Sequence, residues 1–130
     1  MHASGEFDVR LQPLEPYTRG SEGINLNRLS IDKTFTGDLD ATSCGEMLSA
    51  ITAVAGSAGY VAIEQVTGAL HGRRGSFVLQ HSGTMARGEN QLVLEVVPDS
   101  GAGELAGLAG SMTIRIEEGK HFYTFDYTIV

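Results

Sequence analysis

The chain has 130 residues, nine of them Lys or Arg and sixteen Asp or Glu, giving a net charge of −7, and that length builds one domain, 1–130, able to bury about two-thirds of the surface its unfolded chain exposes. The acidic balance, with basic residues scattered apart from Arg73-Arg74, argues against a phosphate-backbone partner, so no nucleic acid is expected; apolar runs such as Ile51 to Ala55 fall far short of the roughly 20 residues of a membrane helix, so no membrane partner is expected either. A lone Cys44 excludes an intramolecular disulfide and fits a reducing compartment, and no basic segment followed by an apolar run opens the chain, so a cytoplasmic protein is expected.

Seventeen glycines, three prolines and short β-branched or aromatic runs about ten residues apart predict many short strands joined by turns. Phe7, Val9 and Leu11 alternate with Asp8, Arg10 and Gln12, a half-buried first strand ending near Pro13, followed by a loop over Glu15 to Gly23. From Asn25 to Phe35, Leu29, Ile31 and Phe35 share one parity against Arg28, Ser30, Asp32 and Thr34 on the other. Leu39 to Val54 reads as strand with a break near Gly45. Tyr60 to Ala69 follows, with Tyr60, Ala62, Glu64 and Val66 on one face, and Gly72-Arg73-Arg74-Gly75 turns the chain into Ser76 to Met85.

Gln91 to Val97 is the next strand, stopped by Pro98, which has no N–H for a ladder. Asp99 to Gly110 reads as loop with one helical turn over Glu104 to Leu108. The clearest hairpin closes the chain, with Ser111 to Glu117 turning at Glu118-Gly119 into Phe122 to Ile129. Eight strands with little or no helix are most economically an all-β, closed antiparallel barrel; a sandwich is the alternative.

Few chemical motifs survive scrutiny. Gly101-Ala102-Gly103-Glu104-Leu105-Ala106-Gly107 misses the dinucleotide spacing by one residue and lacks a βαβ unit, so close backbone packing at a barrel rim is expected and no cofactor is implied. Histidines 2, 71, 81 and 121 lack ligand spacing, and no metal is expected. Cys44 has no histidine neighbour, and Ser82 stands in a strand without a nucleophile elbow.

What remains is a set of polar groups inside strands: Glu64 and His81 as an acid–base pair, with Gln80, Tyr123, Asp126 and Tyr127 as ligand-binding candidates. Tyr123, Phe125 and Tyr127 share a parity with His121, the pattern of a packed aromatic stripe or an apolar pocket wall. In the strand Gly75 to Met85, Gln80 keeps company with Val78, Ser82 and Thr84, and His81 with Phe77, Leu79 and Gly83, so only one of the two faces a lumen. The apolar company of His81 favours it as the inward group.

The combination of Phe7-Asp8-Val9, Glu15-Pro16-Tyr17, Lys33-Thr34-Phe35-Thr36-Gly37-Asp38, Glu64-Gln65-Val66-Thr67-Gly68, the Gly75 to Thr84 strand and Gly103-Glu104-Leu105-Ala106-Gly107-Leu108 resembles a bacterial domain-of-unknown-function family over almost the whole chain. That family looks like the allene oxide cyclase barrels, which implies eight antiparallel strands around a central cavity. Enzymes with such barrels steer a reactive conformer mainly by cavity shape. No catalytic set of theirs is found here, and none is carried over. The segment Met112 to Ile116 departs from the family pattern in being more apolar.

Two functional classes follow. In the first, the lumen binds a small, partly apolar molecule, with an isomerase-like or cyclase-like activity as its catalytic form. In the second, the barrel is filled and the protein is a homo-oligomeric or partner-binding scaffold, because Leu48, Ile51, Val93, Val96 and Val97 occupy alternating parities and some must face outward.

Overall fold

Eight long antiparallel strands close on themselves in a computed structural model that describes all 130 residues. They are β1 (His2–Leu14), β2 (Asn25–Gly37), β3 (Leu39–Ile51), β4 (Ala58–Leu70), β5 (Arg73–Ala86) and β6 (Glu89–Val96), then a two-residue β7 (Ala102–Gly103), β8 (Leu108–Glu117) and β9 (Lys120–Ile129). Pairing runs β1-β2-β3-β4-β5-β6-β8-β9 and returns from β9 to β1, which closes the ring, with β6 and β8 joined through the single pair Glu95 and Ser111. The expected all-β, closed eight-stranded barrel is what the chain forms. There is no helix, and so none long and apolar enough to cross a membrane.

Alternation decides which residues fill the barrel. Odd positions of β1, β2, β3, β5 and β9 and even positions of β4, β6 and β8 point inward, and they carry nearly all the buried side chains. Three hairpins turn on two residues of positive φ: His71-Gly72 (46° and 80°), Arg87-Gly88 (49° and 92°) and Glu118-Gly119 (50° and 78°). Such turns match the strand twist and fix register tightly.

Several boundaries differ from the sequence expectation. β1 starts at His2, ahead of Phe7 where the alternation in the sequence begins, because the Met1 ammonium donates to the Tyr127 carbonyl at 2.8 Å and Tyr127 N–H to the Met1 carbonyl at 2.9 Å. β3 runs through Gly45 unbroken. The turn after β4 is His71-Gly72 rather than Gly72 to Gly75, since Arg73 already pairs with Leu70. Glu104 to Leu108 forms turns rather than helix, and β8 begins at Leu108.

The barrel is solid at one end. Phe35, Leu39, Leu70, Phe77, Phe125 and Tyr127 fill it, with Phe77 and Phe125 stacked at 5.8 Å between ring centroids. Leu105, almost fully buried, plugs it from the loop after β7. The glycines there serve close packing: a Cβ on Gly101 would lie 2.0 Å from the Leu105 carbonyl oxygen. Toward the other end, ringed by the 15–24, 52–57, 87–88 and 118–119 connections, the interior becomes first polar and then open.

Candidate functional site

Midway along the barrel, β2 supplies Lys33, β3 Ser43, β4 Glu64 and β5 His81, all buried and all at inward positions. Lys33 and Ser43 are cross-strand partners, and Glu64 stands opposite Gly45. A Cβ on Gly45 would come within 2.0 Å of the Ile63 carbonyl oxygen and 2.8 Å of Glu64 Cβ, so glycine is what lets β3 approach β4 beside the carboxylate.

Three donors converge on Glu64. Its Oε1 accepts the Ser43 hydroxyl at 2.7 Å, and its Oε2 accepts both Lys33 Nζ at 2.8 Å and the Nε2–H of His81. The ammonium also lies 4.8 Å from the Phe7 ring centroid, a cation–π contact. Burial alone would push the Glu64 carboxyl up; the His81 hydrogen bond and the Lys33 charge and hydrogen bond outweigh it and hold the group at about 2. Glu64 is therefore ionised, and it fixes the proton of His81 on Nε2.

The network extends one layer toward the open end. Nδ1 of His81 lies 3.2 Å from the Tyr60 hydroxyl, and in the neutral ring that nitrogen accepts. Tyr60 is half-buried, and its ring covers Gly83, its cross-strand partner: a Cβ there would sit 2.4 Å from the ring edge. Burial, and then the charge of Glu64, raise the Tyr60 phenol above its ordinary value, so it stays protonated.

Above this layer the mouth of the barrel forms an open cavity of about 450 Å³, within the range of small-molecule sites. Inward side chains of Met47, Ser49, Tyr60, Met85, Leu92 and Ile114 contribute to its wall, Ile51 and Ile116 lie at the rim, and no charged residue lines it. Tyr60 alone belongs both to the cavity and to the hydrogen-bonded chain running Tyr60, His81, Glu64, then Lys33 and Ser43. Chemically, such a chain can serve as a proton relay between an apolar cavity and a buried ion pair.

The structure brings Glu64 and His81 together and sets His81 inward. The other four candidates lie elsewhere. Gln80 and Asp126 are exposed on the outer wall, where Asp126 pairs with His2. Tyr123 is a buried structural anchor whose hydroxyl accepts the Leu39 N–H at 2.9 Å and donates to the Thr36 carbonyl at 2.9 Å. Tyr127 closes the solid end against His71, whose Nε2 is 3.6 Å from Asp38.

Sequence reasoning passed over Lys33, Ser43 and Tyr60 as site residues, although Lys33 occupies the apolar parity of β2 between Ile31 and Phe35 and Tyr60 shares the face of Glu64. Cys44 is exposed, and its hydrogen bond to Asp32 pushes the thiol up, away from the reactive thiolate. No three His, Cys, Asp or Glu side chains converge to hold a metal ion.

A structure of a protein of unknown function from Shewanella oneidensis MR-1 superposes with a TM-score of 0.97 at 60% sequence identity, covering 100% of this chain and 98% of that one. No curated protein matches the chain. The family model for a protein of unknown function, DUF3224, matches residues 3–127, and the chain belongs to that family.

Proposed function

We propose that the protein binds a small, largely apolar molecule in the open mouth of its barrel and moves one proton on it, as an isomerase or cyclase would. One observation carries this reading: Tyr60 lines an uncharged cavity and is hydrogen-bonded, through His81, to an ionised carboxylate. A barrel filled for stability alone gains nothing from a buried Lys–Glu–His group, because replacing such a group by apolar residues of similar volume is often neutral or stabilising. Proton transfer needs it, since a base and its orienting partner must stand within hydrogen-bond reach of the reacting atoms.

The test is an amide-resonance screen with uncharged, alicyclic and aromatic compounds of a size to fill about 450 Å³. Binding should shift the resonances of Ser49, Tyr60, Leu92 and Ile114 and vanish in Ile114→Trp, whose indole would occupy the cavity. Shifts clustered on the outer wall instead would refute it.

A second reading concerns the outer wall and is compatible with the first. Leu48, Val61, Ile63 and Val93 keep 50 to 56% of their surface exposed. Leu48 pairs with Val61 across β3 and β4, and Ser82 bridges Val61 to Val93, so the four form one outward patch. We propose a second copy of the chain as its cover. Light scattering on a size-exclusion column should report a dimer that Val61→Lys converts to monomer; a monomeric wild type would rule it out.

A further inference from the structure

The hydrogen-bond polarity of the relay restricts what the cavity can hold, an inference that rests on the mouth being a ligand site. Glu64 takes the Nε2–H of His81, so the neutral ring leaves Nδ1 without a hydrogen. Tyr60, 3.2 Å away, spends its single hydroxyl hydrogen on that nitrogen. What Tyr60 has left to offer a ligand is a pair of acceptor lone pairs. A carbonyl or ether placed against it would meet acceptor with acceptor, and a polar group desolvated without a partner weakens binding. A ligand held there must bring its own hydrogen. No charged side chain lines the cavity, so an ionic ligand would be desolvated without compensation.

We infer that the mouth cavity takes an uncharged, largely apolar molecule carrying a weakly acidic hydroxyl, a phenol or an enol, whose O–H donates to the Tyr60 oxygen. The flexible walls at Met47 and Met85 accommodate the apolar remainder. The proton step then balances without any further reactant. The ligand O–H breaks as its hydrogen passes to Tyr60 Oη, and the Tyr60 O–H breaks as its hydrogen passes to His81 Nδ1. One negative charge now sits on the ligand oxygen and one positive charge on His81, which keeps its Nε2 hydrogen and goes on donating it to Glu64. With an enol, the relay returns a proton to carbon in place of oxygen: Tyr60 delivers it, His81 restores the Tyr60 hydroxyl, and the product is the ketone.

The experiment titrates the full-length protein with a para-alkylphenol and, separately, with its methyl ether, following the amide resonances of Leu92 and Ile114. Wild type should bind the phenol about tenfold more tightly than the ether, the value of one well-made hydrogen bond. Tyr60→Phe should bind both with the ether's affinity. Equal wild-type affinities at the cavity resonances would overturn the ligand class while leaving the cavity as a binding site. Failure of both probes to reach those resonances at millimolar concentration would overturn the site itself and the ligand class with it. The wild-type comparison decides the matter even where Tyr60→Phe fails to fold.

Discussion

Glu64 on β4 and His81 on β5 are diagonal neighbours inside the barrel, and one carboxylate oxygen of Glu64 serves both the His81 ring and the Lys33 ammonium. Removing the carboxylate strands a buried cation. Glu64→Ala should therefore cost about 3–5 kcal/mol in urea unfolding, the range for breaking one partner out of a buried pair. The double variant Lys33→Met/Glu64→Leu should recover most of that loss, because no charge is left uncompensated. A double variant as unstable as Glu64→Ala would show that packing, not charge, dominates at this layer.

The same carboxylate makes the fold sensitive to acid. Its pKa is lowered on folding, from an ordinary 4.5 to about 2, so its contribution is fully present above pH 4.5 and is lost as the pH falls toward 2. The loss should total about 3 kcal/mol in that window. Unfolding free energies from pH 6 down to pH 2 test it, with Glu64→Gln as the reference. Parallel profiles for the two proteins would mean that Glu64 is not held low.

Gly83 is required by the aromatic ring laid over it. Gly83→Ala puts a methyl group 2.4 Å from the Tyr60 ring edge, and the ring must leave. Overpacking of this kind costs about 1–3 kcal/mol, and the Tyr60–His81 hydrogen bond should be lost with it. Thermal unfolding and the Tyr60 side-chain resonances report the two effects. An unmoved ring at wild-type stability would contradict the contact.

Much of this was legible in the chain because barrel strands obey a period of two. Parity placed His81 inside and Gln80 outside, and the same rule puts Asp126 outward between Tyr123 and Tyr127. Lys33 carried a readable signal, a charge on the apolar face of β2. The layer each inward residue occupies is set by the stagger of the closing strands, which local pattern does not contain. That is why Tyr123 and Tyr127, inward like Tyr60, lie at the solid end while Tyr60 alone reaches the cavity. Gly45 misled for a related reason: a glycine that weakens an isolated strand can permit close approach in a closed one.

The ring nitrogens of His81 give the most direct measurement, by 15N chemical shift in protein with and without a para-alkylphenol in the mouth. In the free protein the shifts should show the neutral ring with hydrogen on Nε2 and an accepting Nδ1, and Tyr60→Phe should move the Nδ1 shift toward that of an unbonded nitrogen. Filling the cavity with progressively more acidic phenols should carry Nδ1 toward the protonated shift. Nδ1 shifts indifferent both to Tyr60→Phe and to a bound phenol would contradict the relay from Tyr60 to Glu64.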